Sequence, residues 1–167
     1  MELWDAYTRD GKLTDKVLVR GTPIPEGLYH MTCEVLVRHV DGTYLCMKRA
    51  DTKHLYPGYY EATSGGAAQR GEDKWQCIKR ELREETGIIC DEFEQVGHNI
   101  SHDTIYYEFA CTVDCDKDAV TLQEGETTAY RWMTEEEFIA FINSDQAIDR
   151  QRARFADYFV KLGYILE

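Results

Sequence analysis

The sequence predicts an α+β fold, an α/β/α sandwich in which a mixed β-sheet lies between helices. Segments with alternating apolar and polar residues occur both before and after the strongest helical pattern, and further helical patterns follow them. The chain has 167 residues, of which 43% are apolar and 12% aromatic, enough for one domain with a substantial core. No repeat or linker divides it. We therefore expect residues 1–167 to form a single domain, with residues 1–27 as an N-terminal β-hairpin and loop extension.

The first half of the chain predicts two hairpins and a short strand. Predicted strands at residues 3–7 and 16–20 flank Asp10-Gly11, a dipeptide that favours hairpin turns. A loop with two prolines follows at 21–27. Asp41-Gly42 then joins predicted strands at 30–40 and 43–49, and Pro57-Gly58 precedes a short strand at 60–64.

The second half begins with a helical period over residues 72–86, for which Gly87 is suited as the C-cap. Strands are predicted at 94–100, 105–113 and 128–133. Thr134 and Glu137 then form a capping box that opens a helix to about Asn143, and residues 148–162 predict a final helix. Strands on both sides of a helix, followed by further helices, favour a sheet covered on both faces.

The net charge of the chain disfavours some classes of binding partner. With 19 Lys and Arg against 31 Asp and Glu, the formal net charge is −12, which disfavours binding to a nucleic acid polymer. A small phosphorylated ligand would need a positive group between it and the protein, such as a divalent metal held by carboxylates. No run approaches the about 18 apolar residues of a membrane span, and the N-terminus lacks a signal-peptide layout. We therefore expect a cytoplasmic protein with no membrane partner.

The six cysteines contain no C-x-x-C pair. They are scattered through predicted strands and helix, so a disulfide framework or structural zinc is disfavoured. We interpret them as reduced core thiols.

The segment from residue 66 to residue 88 contains the residues that predict a chemical function. A glycine-containing loop enters a helix on which Glu81, Glu84 and Glu85 stand at positions i, i+3 and i+4, so their carboxylates cluster on one side. Trp75, Ile78 and Leu82 form a neighbouring apolar stripe. Like charges at this spacing repel by a few tenths of a kcal/mol per pair. A hard divalent cation such as Mg²⁺ removes that penalty and keeps positions open for water and phosphate.

This pattern resembles the signature of the Nudix hydrolases, G-x5-E-x7-R-E-U-x-E-E-x-G-U, in which U is a bulky apolar residue. Every defined position is filled, by Gly66, Glu72, Arg80, Glu81, Leu82, Glu84, Glu85, Gly87 and Ile88. The resemblance implies a Nudix fold and a single Nudix hydrolase domain. It also implies that Glu81, Glu84 and Glu85, helped by the carbonyl of Gly65, bind Mg²⁺ or Mn²⁺. Glu72 and Arg80 lie about half a turn from the metal face, so we expect them to brace the loop and helix, with Glu72 in the first helical turn.

The resemblance also suggests how the reaction proceeds. Family members often carry another acid before a late strand that ends in Trp; Glu126, six residues before Trp132, is the first candidate and Glu124 the second. The general base is left open among Glu84, Glu85 and Glu126. Metal ions would bridge the two phosphates of a small-molecule diphosphate, X-O-P-O-P, and activate water for in-line attack on phosphorus.

Substrate contacts are predicted outside the signature. Lys48 and Arg49 close a strand that in the family runs towards the substrate cleft, so either could meet phosphate, and an exposed strand end is an equal alternative. Tyr60 is one of several aromatic residues that could stack on a base, although such residues are more often core.

The N-terminal half resembles the isopentenyl-diphosphate isomerase-like branch of the family, in its R-G-x-P-x-P-x-G-x-Y-H and Y-P-G-Y-Y-E-A-T-S-G-G segments. Isomerases of that branch have a catalytic Cys before the signature glycine and a metal-binding His after it, where this chain has Gly65 and Ala67. We therefore expect a metal-dependent pyrophosphohydrolase acting on a nucleoside diphosphate derivative. An isomerase and a non-catalytic nucleotide-binding module remain alternatives, and the chain is expected to be a monomer or a homodimer.

Overall fold

The computed structural model describes residues 1–166. The elements of this part follow in chain order: β1 (Leu3–Tyr7), β2 (Leu13–Val19), β3 (His30–His39), β4 (Tyr44–Arg49), β5 (Tyr60–Glu61), β6 (Ser64–Ala67), α1 (Lys74–Thr86), β7 (Glu94–Ser101), β8 (Thr104–Val113), β9 (Thr127–Met133), α2 (Glu135–Ile142), α3 (Asp149–Arg154) and α4 (Ala156–Lys161). A short 3₁₀ turn at Lys117–Ala119 lies between β8 and β9.

The main sheet is mixed. Its strands run in the order β5-β4-β3-β8-β7, with β6 pairing to β3 and β9 pairing to β4. Strands β3 and β8 are parallel over their full length, from His30 beside Thr104 to His39 beside Val113, and the other pairs are antiparallel. Strands β1 and β2 form the separate N-terminal hairpin, joined to the main body by a bridge between Tyr7 and Tyr29.

Helices cover both faces of the sheet, which confirms the predicted sandwich. Because neighbouring strand residues point to opposite faces, Val35 and Leu36 enter different cores. On the first face α1 buries Ile78 and Leu82 against the strands. On the second face lie buried aromatic residues of the C-terminal segment, including Phe138, Phe155 and Phe159.

The predicted strands all occur, with bounds shifted by up to about three residues as is usual at element ends. One prediction merged two elements, because the segment 60–64 contains β5, which pairs with β4, and the start of β6, which pairs with β3. The predicted final helix is also divided. Phe155, with φ −95 and ψ 6, departs from helical geometry and separates α3 from α4.

Helix α1 begins at Lys74, two residues later than predicted. Asp73 is its N-cap, because the Asp73 side chain accepts a hydrogen bond from the Gln76 backbone and the Gln76 side chain accepts one from the Asp73 backbone. Trp75 is 44% exposed, so the apolar stripe is carried by Ile78 and Leu82. No helix within residues 1–166 has the length and apolar character needed to cross a membrane.

Candidate active site

The glycines of β6 let helix α1 lie close to the sheet. Gly65 and Gly66 pair with Glu34 and Cys33 of β3, and the Gly65 backbone N–H donates a 3.1 Å hydrogen bond to Glu85 Oε2. A Cβ atom at position 66 would lie 2.6 Å from the carboxyl carbon of Glu81. The absence of a side chain at Gly66 therefore makes room for a carboxylate against the strand.

Arg80 connects the loop before α1 to the helix. Its guanidinium donates to Glu72 Oε1 at 2.5 Å and Glu72 Oε2 at 3.0 Å, to the Ala67 carbonyl at 3.1 Å, to Glu81 at 2.8 Å and to Glu84 at 3.1 Å. Burial opposes the charged form of Arg80, but these carboxylates outweigh it and raise the pKa of the guanidinium. Glu72 precedes the N-cap, so the expectation that it lies in the first helical turn is wrong.

The acidic face of α1 opens into a cleft of about 330 Å³ between the helix, the sheet and the N-terminal hairpin. Acidic and basic side chains both line it. The carboxylates are Glu2, Glu61, Glu81, Glu84, Glu85 and Glu126, and the cationic side chains are Arg20, Arg49, Lys53 and Arg80. A cleft with both charge types can bind a cation and a phosphate side by side.

Burial raises the pKa of three of the cleft carboxylates, those of Glu61, Glu81 and Glu85. Burial, followed by repulsion from Glu61 and Glu81, raises the pKa of Glu85 well above its ordinary value. Burial also raises the pKa of Glu61, even though Arg49 Nη1 donates to its Oε1 at 2.5 Å. Clustered acids with raised pKa values are stabilised in the charged form by a cation, so this oxygen donor set fits Mg²⁺ or Mn²⁺.

Basic side chains contact most of these acids. Over residues 1–166, no three His, Cys, Asp or Glu side chains converge as a group that could hold a metal ion. Arg80 contacts both Glu81 and Glu84, Arg49 contacts Glu61, and Lys53 contacts Glu126.

The family model for the NUDIX domain matches residues 28–157 of this chain. The chain belongs to the Nudix hydrolase family. An uncharacterized Nudix hydrolase of Listeria monocytogenes, lmo0368, is 30% identical over 151 residues, which is 89% of each chain.

Solved structures share the fold. DR0079 from Deinococcus radiodurans superposes with a TM-score of 0.73 at 18% identity, covering 94% of this chain and 99% of that one. The NUDIX domain of Shewanella oneidensis NrtR, solved in complex with ADP ribose, superposes with a TM-score of 0.59 at 16% identity, covering 80% of this chain and 88% of that domain.

The Nudix fold brings most of the predicted site residues to one place. Gly65, Glu81, Glu84 and Glu85 line the cleft together with Arg49 and Glu126, although those two lie far from the signature in sequence. Gly87 ends the Nudix helix in the left-handed conformation, with φ 77, and its N–H donates to the Arg83 carbonyl at 2.8 Å.

Lys48 and Tyr60 do not line the cleft. They pair with each other across β4 and β5, and their side chains leave the sheet on the face opposite to Arg49 and Glu61. Tyr60 instead lines a surface depression with Met133 and Phe141. The structure therefore does not bring these two predicted substrate contacts to the acidic face.

Sequence reasoning missed four charged residues of the cleft. Glu61 and Lys53 come from the segment between β4 and β6, and Glu2 and Arg20 come from the N-terminal hairpin. Glu61 carried a detectable signal, because it is an acid within an otherwise uncharged run leading into the signature glycine. Glu2 and Arg20 carried none, since only the packing of the hairpin brings them to the cleft.

Proposed function

We propose that this Nudix hydrolase is a metal-dependent pyrophosphohydrolase that cleaves the diphosphate linkage, X-O-P-O-P, of a nucleoside diphosphate derivative. The observation that carries the proposal is the mixed charge of the cleft beside the acidic face of α1. The Nudix glutamates supply oxygen ligands for a cation, and the basic side chains that line the same cleft supply contacts for phosphate.

Glu81, Glu84 and Glu85, with the Gly65 carbonyl, would hold Mg²⁺ or Mn²⁺. When bound, such an ion neutralises phosphate charge and lowers the pKa of a bound water so that hydroxide becomes available at neutral pH. Arg49 and Lys53 are placed to orient the diphosphate once they leave Glu61 and Glu126. Glu84, Glu85 and Glu126 are the candidate general bases, because each lines the cleft in which water would be activated.

The backbone around position 65 disfavours isomerase chemistry. A Cβ atom at Gly65 would lie 2.0 Å from the Cys33 backbone oxygen and 2.8 Å from the Glu34 Cα. The catalytic Cys that isomerases of the related branch carry at this position therefore has no space in this backbone. The filled signature in turn favours catalysis over a non-catalytic binding module.

The test is a substrate panel with purified protein and either Mg²⁺ or Mn²⁺. The panel contains nucleoside diphosphate sugars, dinucleoside polyphosphates, nucleoside triphosphates and ADP ribose, the ligand named for the NrtR domain. We expect metal-dependent release of a phosphorylated product from at least one compound, abolished by EDTA. Binding to a nucleotide without turnover across the panel would support the module, and conversion of isopentenyl to dimethylallyl diphosphate would support the isomerase.

Site variants separate catalysis from folding. Glu84→Gln and Glu85→Gln should each lower turnover by at least about a hundredfold. Glu124→Gln is the matched control. Glu124 is exposed and close in sequence to Glu126, but unlike Glu126 it does not line the cleft. Near-normal rates in the first two variants would reject the metal-ligand assignment.

A further inference from the structure

The N-terminal hairpin, formed by β1 and β2, supplies one wall of the acidic cleft. The NUDIX family model begins at residue 28, so the hairpin lies outside the matched region. Two charged side chains of this extension, Glu2 and Arg20, nevertheless line the cleft with the Nudix glutamates. The proposed hydrolysis assigns neither of them a role.

Hydrogen bonds fix the hairpin against the loop that leads into the Nudix helix. The Arg70 N–H donates to the Leu3 carbonyl at 2.8 Å, and the Gly71 N–H donates to Asp5 Oδ2 at 2.7 Å. Trp4 of β1 is buried in a small apolar cluster at the base of the hairpin. The hairpin is therefore anchored to the signature loop, which makes its charged residues a fixed part of the cleft.

Contacts along β6 show which end of the acidic face the hairpin approaches. The Gly65 N–H donates to Glu85, and the next residue, Gly66, lies against the carboxyl group of Glu81. The hydrogen bonds to the hairpin follow in the loop after β6. The hairpin therefore lies beyond the Glu81 end of the acidic face.

Arg49 and Lys53 belong to the other end of the acidic face. Their carboxylate partners are Glu61 and Glu126. Burial, followed by repulsion from acids that include these two partners, raises the pKa of Glu85, which places them near that glutamate. The cleft therefore has basic side chains near both ends of the acidic face.

Arg20 is the most exposed of the four cationic side chains in the cleft. Its side chain is 63% exposed, whereas those of the other three are at most 27% exposed. Arg20 Nη1 donates to Glu2 Oε2 at 3.1 Å, and the indole N–H of Trp4 donates to Glu2 Oε1 at 2.7 Å. Because an exposed ion pair is weak and a guanidinium carries further N–H donors, Arg20 can exchange this partner for a phosphate.

We propose that Arg20 forms a second anion subsite, which binds a phosphate beyond the diphosphate held by the metal site, Arg49 and Lys53. This inference rests on the proposed function and narrows its substrate class to compounds with a third phosphate, such as nucleoside triphosphates. ADP ribose and nucleoside diphosphate sugars have no third phosphate, so they leave the Arg20 subsite empty.

The experiment uses two inorganic probes, pyrophosphate and tripolyphosphate, which differ by one phosphate. Isothermal titration calorimetry measures their Kd for the purified full-length protein in saturating Mg²⁺. We expect the wild type to bind tripolyphosphate about tenfold more tightly than pyrophosphate. Arg20→Ala should lose this preference and keep its Kd for pyrophosphate within about twofold of wild type. Arg20→Lys should keep about a threefold preference, because an ammonium group binds phosphate as a point charge.

Lys16→Ala is the matched control. Lys16 lies on β2, the strand that Arg20 follows, and its side chain is 66% exposed, but it does not line the cleft. The substitution removes the same charge from the same hairpin and should leave both Kd values unchanged. Equal weakening of both probes in Arg20→Ala, or an equal loss of preference in Lys16→Ala, would overturn the proposal.

The wild-type protein separates this inference from the proposed function. Binding of pyrophosphate with no preference for tripolyphosphate would overturn the Arg20 subsite and leave the proposed diphosphate site intact. Binding of neither probe would contradict both. For a hydrolysed nucleoside triphosphate, Arg20→Ala should raise KM about tenfold at unchanged kcat, whereas KM for ADP ribose should not change.

Discussion

Arg80 and Glu72 form a two-point ion pair that spans the junction between the signature loop and the Nudix helix, with Nε to Oε1 at 2.5 Å and Nη2 to Oε2 at 3.0 Å. Both side chains are less than a fifth exposed, at 15% and 17%. The pair lies beside the acidic cleft, where Arg80 also contacts Glu81 and Glu84. It therefore holds the loop before α1 against the helix that carries the glutamates.

Replacing Arg80 with Ala should destabilise the protein by about 3 kcal/mol, because it leaves a largely buried carboxylate without its partner. Urea unfolding at neutral pH measures this change in the free energy of unfolding. Lys79→Ala is the matched control, since the Lys79–Asp91 pair is exposed and its loss should change stability by no more than about 0.5 kcal/mol. Equal losses in the two variants would contradict a bracing role for Arg80.

Glu85→Gln should have opposite effects without and with metal, if the proposed cation site is correct. In EDTA the variant removes the cost of burying a carboxylate and its repulsion from Glu61, Glu81 and Glu126, so Tm should rise by about 2–4 °C, equivalent to about 1 kcal/mol. In Mg²⁺ the wild type should gain more stability than the variant, because binding to the native state stabilises it. Differential scanning fluorimetry over a Mg²⁺ titration checks both effects. A variant that keeps the full Mg²⁺ response would exclude Glu85 as a ligand.

Glu108 should make the protein less stable as the pH rises towards neutral. This side chain is 0% exposed, and burial, partly offset by the hydrogen bond from Asn99, raises its pKa to about 7. Glu108 in the native state therefore keeps its proton at pH values at which the unfolded chain, whose Glu108 has the ordinary pKa of 4.5, has lost it. Stability from this group is fully present below about pH 4.5 and falls by about 3 kcal/mol as the pH rises to 7.

Glu108→Gln isolates this effect, since all other groups cancel in the difference from wild type. Denaturant unfolding at pH 5 and pH 8 should show that the variant gains about 2.5 kcal/mol relative to wild type at the higher pH. A difference that does not depend on pH would show that the carboxyl titrates alike in the folded and unfolded states.

Gly65→Ala should lower the stability of the fold, whereas Gly66→Ala should weaken the response to Mg²⁺. The new Cβ at position 65 would meet the Cys33 backbone oxygen at 2.0 Å, so the strand pairing must shift and stability should fall by at least about 3 kcal/mol. At position 66 the Cβ would meet only the end of the Glu81 side chain, which can rotate away. We expect Gly66→Ala to fold with nearly normal Tm in EDTA but to lose most of the Mg²⁺-induced rise in Tm. A Gly66→Ala protein with an intact Mg²⁺ response would show that the position of Glu81 does not matter for the ion.

Local patterns were enough to predict most of the fold. The Asp10-Gly11 and Asp41-Gly42 turns, the alternation along β3 and β8 and the capping box at Thr134 are all short-range signals, and each element occurs. The break at Phe155 could not be predicted, because the helical period continues through it in sequence. Likewise, the period of α1 predicted an apolar stripe but not that Trp75 would stay half exposed.

The sequence by itself determined the family and the acidic helix face, because the signature is contiguous and helical spacing alone places Glu81, Glu84 and Glu85 together. Only the tertiary structure decided which distant residues share that cleft. It brought in Arg49 and Glu61, excluded Lys48 and Tyr60, and added Glu2 and Arg20. The physical reason is that strand register and the packing of the hairpin decide which side chains line the cleft. A shift of one residue along a strand moves a side chain to the opposite face of the sheet.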